Sequence, residues 1–222
     1  MILAFFLFTN SNPINNFTIN DLFEVKQGKQ VLDKVKSNSI GKNEKIDSNN
    51  LNIKVLTMHS VNFDDKSINP NFLSDYNLSS SIGSNTILTS NSYIVNRVGK
   101  NRGMSLLDLD FDFNSIQIVA SHHFIILQPR KIVMDNLPFF HSVLDVVLDD
   151  LITEKAVNNP SKIQYLTVKE IQDKKLSIPS KGFDELTKSF MELYEPYKKA
   201  LKNLINSRKK IEEFKIKFLK KK

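Results

Sequence analysis

Cysteine is absent from these 222 residues, and so is tryptophan. The first absence excludes disulfide staples, thiol nucleophiles and thiolate metal sites, and it suits a reducing compartment, so we expect a cytoplasmic protein. Histidine is scarce too: His59, His122, His123 and His141 stand in no HExxH or HxE-type spacing with carboxylates, and no metal site is expected. There is no GxxxxGK[ST] phosphate loop, and no glycine-rich loop after a strand to hold S-adenosylmethionine. The stretch Asp135-Asn136-Leu137-Pro138-Phe139 only approaches the [DN]-P-P-[YF] motif that grips an adenine amino group, because Leu137 replaces the first proline. It reads as a helix entry. No run approaches the ~20 apolar residues of a membrane span. The apolar start at residues 2–8 lacks a basic flank and a small-residue cleavage pattern, so it reads as a strand or cloned start before a signal sequence.

What is present is enough to fold. The apolar fraction is 41%, with 16 Phe and five Tyr, too high for a disordered chain. The net charge of +7 is unevenly placed: residues 183–222 hold 12 Lys+Arg against six Asp+Glu, which leaves 19 against 18 in the first 182. A basic chain points to nucleic acid or an acidic partner. Here the basic character belongs to the tail.

The first 182 residues alternate short strand-like runs with Asn, Ser, Gly and Asp clusters. Leu22-Phe23-Glu24-Val25, residues 52–56, Tyr93-Ile94-Val95, residues 116–119 and residues 123–127 read as strands, with a polar loop at 34–50. His122-His123 would alternate faces on a strand, one ring in the core. Helical periodicity runs over 137–156; Thr167-Val168-Lys169-Glu170 looks like a capped turn, and Leu176-Ser177-Ile178-Pro179 like a strand stopped by proline. The fold class expected is α+β: a β-rich domain with long loops over 1–180, and a helical arm over 181–222.

The arm is the clearest signal. Positions 186, 190, 193, 197, 200, 204, 207, 211, 214 and 218 step by four and three, and all but Ser207 are apolar or aromatic. A 3.5-residue period keeps one seam against a partner helix. Pro196 should kink or break it near Glu195. The stripe either packs on its own domain or meets a helix from another chain; its length favours the second, with Leu193, Tyr197, Leu204, Ile211, Phe214 and Phe218 as partner contacts. Ser207 either fixes register or is tolerated.

The order of these pieces resembles the specificity subunits of type I restriction-modification systems. Leu22-Phe23-Glu24-Val25-Lys26-Gln27-Gly28-Lys29 is similar to the strand and glycine turn that open a target recognition domain. Ile53-Lys54-Val55-Leu56-Thr57-Met58 resembles the second strand, before a loop at 60–69. Tyr93-Ile94-Val95-Asn96-Arg97-Val98-Gly99-Lys100 is similar to the family's D-[IV]-L-[IV]-x-R-x-G segment, residues 118–129 resemble its following strand pair, and 166–179 its entry to the conserved helix. The resemblance implies a non-catalytic DNA reader that directs a partner adenine methyltransferase, and a restriction or translocase subunit beside it. S-adenosylmethionine would sit on the partner, with no cofactor in this chain. Complete specificity subunits carry two recognition domains and two such helices; one of each implies a half-subunit that pairs antiparallel with itself or a second half-subunit on a bipartite site.

Candidate DNA contacts follow. Between two strands, Asn96-Arg97-Val98-Gly99-Lys100-Asn101-Arg102-Gly103 concentrates Arg97, Lys100, Asn101 and Arg102. Arginine can fork onto guanine, asparagine onto adenine, and lysine can hold phosphates. The same composition also suits a solvated turn. Arg130 and Lys131 could touch phosphates or simply be hydrated. Two other readings stay open: a coiled-coil adaptor without DNA, and a small Mg²⁺ nuclease built on Asp108-x-Asp110-x-Asp112, three carboxylates on one strand face.

Overall fold

The structure is a computed structural model that describes residues 14–29, 53–63, 66–75, 87–98, 103–109, 111–113, 116–158, 165–179 and 181–219. The apolar start at 2–8, the loop at 34–50, the carboxylate Asp110 and the loop residues Lys100, Asn101 and Arg102 lie outside them.

In chain order the elements are β1 (Ile14–Thr18), α1 (Ile19–Leu22), β2 (Phe23–Gln27), β3 (Ile53–Leu56), β4 (Val61–Asn62), β5 (Ser67–Ile68), β6 (Ser74–Asp75), β7 (Tyr93–Asn96), β8 (Gly103–Ser105), β9 (Gln117–Ala120), β10 (Phe124–Pro129), α2 (Leu137–Asn158), α3 (Val168–Asp173), β11 (Lys175–Pro179) and α4 (Phe183–Leu219). The central sheet runs β2-β10-β7-β8, all antiparallel. A second sheet, β6-β3-β9, contains a parallel pair, β3 with β9. The pairs β1-β11 and β4-β5 complete the head.

The central sheet is buried on both faces, which is why Tyr93-Ile94-Val95 and Phe124-Ile125-Ile126-Leu127 are continuous apolar runs instead of alternating ones. Period two divides them. Tyr93, Val95, Ile125 and Leu127 face one core with Phe140, Leu144 and Leu148 of α2, and Ile94, Phe124 and Ile126 face another with Leu56, Ile118 and Ala120 of β3 and β9. Each fully buried side chain of this size contributes roughly 1.5–3 kcal/mol. The capping box expected at Thr167 is formed: Glu170 N–H donates to the Thr167 hydroxyl, and Thr167 N–H to the Glu170 carboxylate. Its anion also meets Lys155 at 2.6 Å.

Three expectations need correction. His122 and His123 are not on a strand; they form the turn between β9 and β10, with ring centroids 3.9 Å apart. Asp108 is in a turn and Asp112 is outside any strand, so the single strand face of carboxylates does not exist, and Asp108 accepts a hydrogen bond from the Tyr194 hydroxyl. Pro196 does not divide the arm: α4 is one helix of 37 residues. The proline cannot donate to the Glu192 carbonyl, but both residues are exposed, so water takes the freed acceptor.

The arm is half core and half stalk. Phe183, Leu186 and Phe190 pack against the α2 side of the head, and Phe139 meets Phe183 and Phe190 edge to face at 5.6 Å each. Thr187 and Tyr194 are buried. A straight α-helix drifts about 20° per heptad against a 3.5-residue stripe. Leu186 and Phe190 of the stripe touch the head, whereas Leu193, 64% exposed, only borders the cavity at the arm's root. The packing of the stripe on its own domain holds at the root, through Leu186 and Phe190; beyond it Leu204, Ile211, Phe214 and Phe218 are exposed.

Candidate nucleic-acid interface

Register brings polar groups to one end of the central sheet. Ile125 pairs with Gln27 and Phe124 with Asn96, so the end of β2, the end of β7 and the β9–β10 turn converge. Gln27 is exposed, and its Nε2 donates to the His122 carbonyl at 3.5 Å. His123 is exposed beside it, its pKa lowered by desolvation, by His122 and by Arg97. Val98 and Gly103, the described residues on either side of Lys100, Asn101 and Arg102 in the sequence, follow β7 and open β8.

Arg97 is half-buried and largely structural. Its Nη1 donates to His122 O at 3.1 Å and its Nε to Leu166 O at 3.4 Å, while its backbone bonds to His123 O and Leu166 N. It clamps three segments together at the base of the loop. Asn96 is buried, and its Oδ1 accepts from Val98 N–H at 3.1 Å. The two residues thus shape the loop's root, and Gln27 and His123 join the same edge. Sequence reasoning missed Gln27 because only the β2–β10 register places it there.

Arg130 and Lys131 lie at the other end of β10, a six-residue strand that spans about 20 Å. Arg130 Nε donates to Asn20 O at 2.9 Å and its N–H to Leu22 O. Among the described candidates, Arg97 accordingly lies at one end of the sheet and Arg130 and Lys131 at the other.

A second polar cluster lines a cavity of about 270 Å³ at the root of the arm, among Lys66, Asp108, His141, Asp145, Tyr194 and Tyr197. Tyr93 and Tyr194 donate to Asp145 and Asp108, and the Lys66 ammonium is 3.7 Å from Asp145. Desolvation opposes the Lys66 charge, but Asp145, Tyr197 and Asp108 outweigh it and raise its pKa. Burial raises that of Asp145 against the pull of Lys66 and Tyr93. His141 Nδ1 is 2.7 Å from Ser105 Oγ, which accepts from Leu107 N–H, while His141 Nε2 is buried without a protein partner. Burial alone drives its pKa down to about 4, so the ring is neutral near pH 7. Farther along the arm, an open cleft of about 690 Å³ separates Ile205, Arg208 and Ile216 from head residues including Asn69 and Phe72. No described helix is long and apolar enough to cross a membrane.

No family model matches the chain, and no curated protein does. Solved structures do. The chain is similar to the S subunit of a type I restriction-modification system from M. genitalium (14% identity, 89% of this chain and 42% of that one, TM-score 0.45). It is similar to a chain from a structure of complex assembly and conformational transition of the type I R-M system (10% identity, 91% and 44%, TM-score 0.50). It is also similar to the HsdS subunit from Thermoanaerobacter tengcongensis (11% identity, 88% and 41%, TM-score 0.47). The chain spans about two fifths of the length of these proteins. The fold implied by the sequence resemblance, a β-rich head followed by a long helix, is the fold observed, and the chain from the type I R-M structure shares it.

Proposed function

We propose that this chain is a DNA-recognition subunit: it reads a duplex sequence with its head and directs a partner adenine methyltransferase, together with a restriction subunit, to that site. Recognition is its contribution and the chemistry belongs to the partner, which would bind S-adenosylmethionine. The observation that carries this reading is a fold shared over head and arm together, 91% of the chain. The end of the central sheet that holds Gln27 and His123 supports it, since such side chains supply donors and acceptors that base edges and phosphates require, and by sequence Lys100, Asn101 and Arg102 would add to them. Two copies, or this chain and a second half-subunit, would pair through the arm and read a bipartite site.

Selection from a pool of randomised duplexes tests this directly. We expect enrichment of a two-part sequence, and binding that weakens steeply with salt as phosphate counterions are released. A pool that emerges unselected, with all duplexes bound alike, would sink it.

A further inference from the structure

The core's grip on the arm ends just short of a proline. Phe183, Leu186 and Phe190 pack on the head, and Tyr194 is buried with its hydroxyl donating to Asp108. Pro196 follows two residues later, and its missing N–H leaves the Glu192 carbonyl without a helical donor. Of residues 197–218, only Lys198, Leu201 and Ile205 are half-buried and the rest are exposed. Ile205, Arg208 and Ile216 face the open cleft of about 690 Å³ that separates them from the head. A helix bends most readily where a bond of its ladder is absent. In this arm that point coincides with the edge of the head.

One head residue reaches across that point. Lys66, in the turn between β4 and β5, holds a left-handed backbone conformation with φ 50°, which a lysine adopts only at a cost. Such strain persists where the surroundings hold it in place, and it collects at clamps and switches. What holds Lys66 is the arm-root cavity that its side chain lines. There the ammonium is 3.7 Å from Asp145 of α2 and hydrogen-bonded to Tyr197 of the arm. Asp145 is fixed from its other side by the Tyr93 hydroxyl. Tyr194 and Tyr197 flank Pro196 in the sequence, the first tied to Asp108 and the second to Lys66. The Lys66 contact therefore spans the weakened turn. With the two side chains 28% and 41% exposed, its ion pair is of the kind that releases readily.

We propose that the arm is hinged at Pro196 and that Lys66 is the latch across the hinge: bound to Asp145 and Tyr197 it holds the cleft at its present width, and on release it lets the distal arm swing against the head. The helix up to Tyr194 stays with the head, and the part beyond Tyr197 moves. A bend of about 20° at Pro196 displaces residue 210, about 21 Å farther along the helix, by about 7 Å. The latch concerns how the arm is carried and does not depend on what the head reads.

A chain without cysteine takes spin labels only where they are put. Nitroxides on Asn71→Cys, at the head's wall of the cleft, and on Lys210→Cys of the arm, both exposed, report the swing by pulsed electron resonance in the 222-residue chain. Labelled chain is diluted in unlabelled chain so that only distances within one molecule are read. With Lys66 present the distance distribution should be a single narrow peak. Lys66→Met should spread or shift it by up to about 7 Å, the displacement of a 20° bend, and Tyr197→Phe should do the same. Lys66→Arg, which keeps the charge, should retain the narrow peak. Adding Pro196→Ala to Lys66→Met should narrow the distribution again, because the helix regains its ladder bond. A distribution unchanged by both Lys66→Met and Tyr197→Phe overturns the latch, as does one already broad with Lys66 in place. Broadening that Pro196→Ala leaves untouched overturns the hinge.

Discussion

A Cβ built on Gly103 would lie 2.2 Å from Tyr93 Cε1 and 2.3 Å from the Tyr93 hydroxyl oxygen. The ring passes directly over this glycine to reach Asp145 on α2, to which its hydroxyl donates. The glycine that closes the candidate recognition loop is thus required by the core beneath it. It ties the loop's exit to the arm-root cavity through one aromatic side chain.

Gly103→Ala should therefore be a stability variant. Either the Tyr93 ring leaves Asp145 or β8 moves off β7, and overpacking of this kind costs about 1–3 kcal/mol or more. Thermal unfolding should shift down by several degrees, with near-ultraviolet circular dichroism reporting the displaced tyrosine. An unchanged transition would show that the ring has room elsewhere.

His141 makes stability depend on pH. Burial lowers its pKa from 6.5 to about 4, so between those values the unfolded chain binds a proton that the folded chain refuses. Stability is complete above pH 6.5 and falls as pH drops toward about 4, by about 3 kcal/mol in total. Asp145, one turn along α2, has a raised pKa and acts in the opposite direction. The comparison that isolates the histidine is wild type against His141→Gln: urea midpoints of the two should converge as pH falls from neutral toward about 4. Parallel curves would exclude His141 as the cause.

Arg97 and Arg102 should behave differently. Arg97→Ala removes the donors that hold His122 O and Leu166 O, leaving the former only Gln27 Nε2 at 3.5 Å and costing about 1–3 kcal/mol. The melting temperature should drop. Arg102→Ala should keep its melting temperature and lose about 1–3 kcal/mol of discrimination at the base pair it reads. Binding and melting measured on both variants separate a clamp from a reader; equal stability loss in both would contradict the assignment.

Pro196→Ala restores a donor to the Glu192 carbonyl inside a continuous helix. Proline in a helix interior is about 3 kcal/mol worse than alanine, so the variant should melt higher and show at least as much helix by circular dichroism. A lower melting temperature would mean that the proline's local geometry is needed for packing at Tyr194.

Three strands of the central sheet, β2, β7 and β10, were legible because aromatic and β-branched runs are bounded by Gly, Asn and Pro, as at Phe124–Pro129, whereas β8, Gly103-Met104-Ser105, carries no such run. The two long helices were legible from their periods, and α3 from the Thr167–Glu170 box. What covers each face was not. Tyr93 and Ile94 read alike in sequence, yet one meets α2 and the other the second sheet. The extent to which the stripe is buried was equally hidden, since it depends on Phe139 meeting Phe183 and Phe190 from 44 or more residues away. For the interface, basic residues stood out by type, while Gln27 and the inward duties of Arg97 follow from strand register and a carbonyl at Leu166. Such long-range pairings leave no local mark.

The pairing of Ile14 with Pro179 and of Thr18 with Lys175 closes the head between its first and last described strands. Ordering such a distant contact requires nearly the whole intervening chain, and loop closure must precede any gain from it. Synthesis consequently releases most of the head before β1 has a mate. Until then the exposed strand is a template for neighbouring chains, so faithful maturation depends on how quickly residues 175–179 arrive.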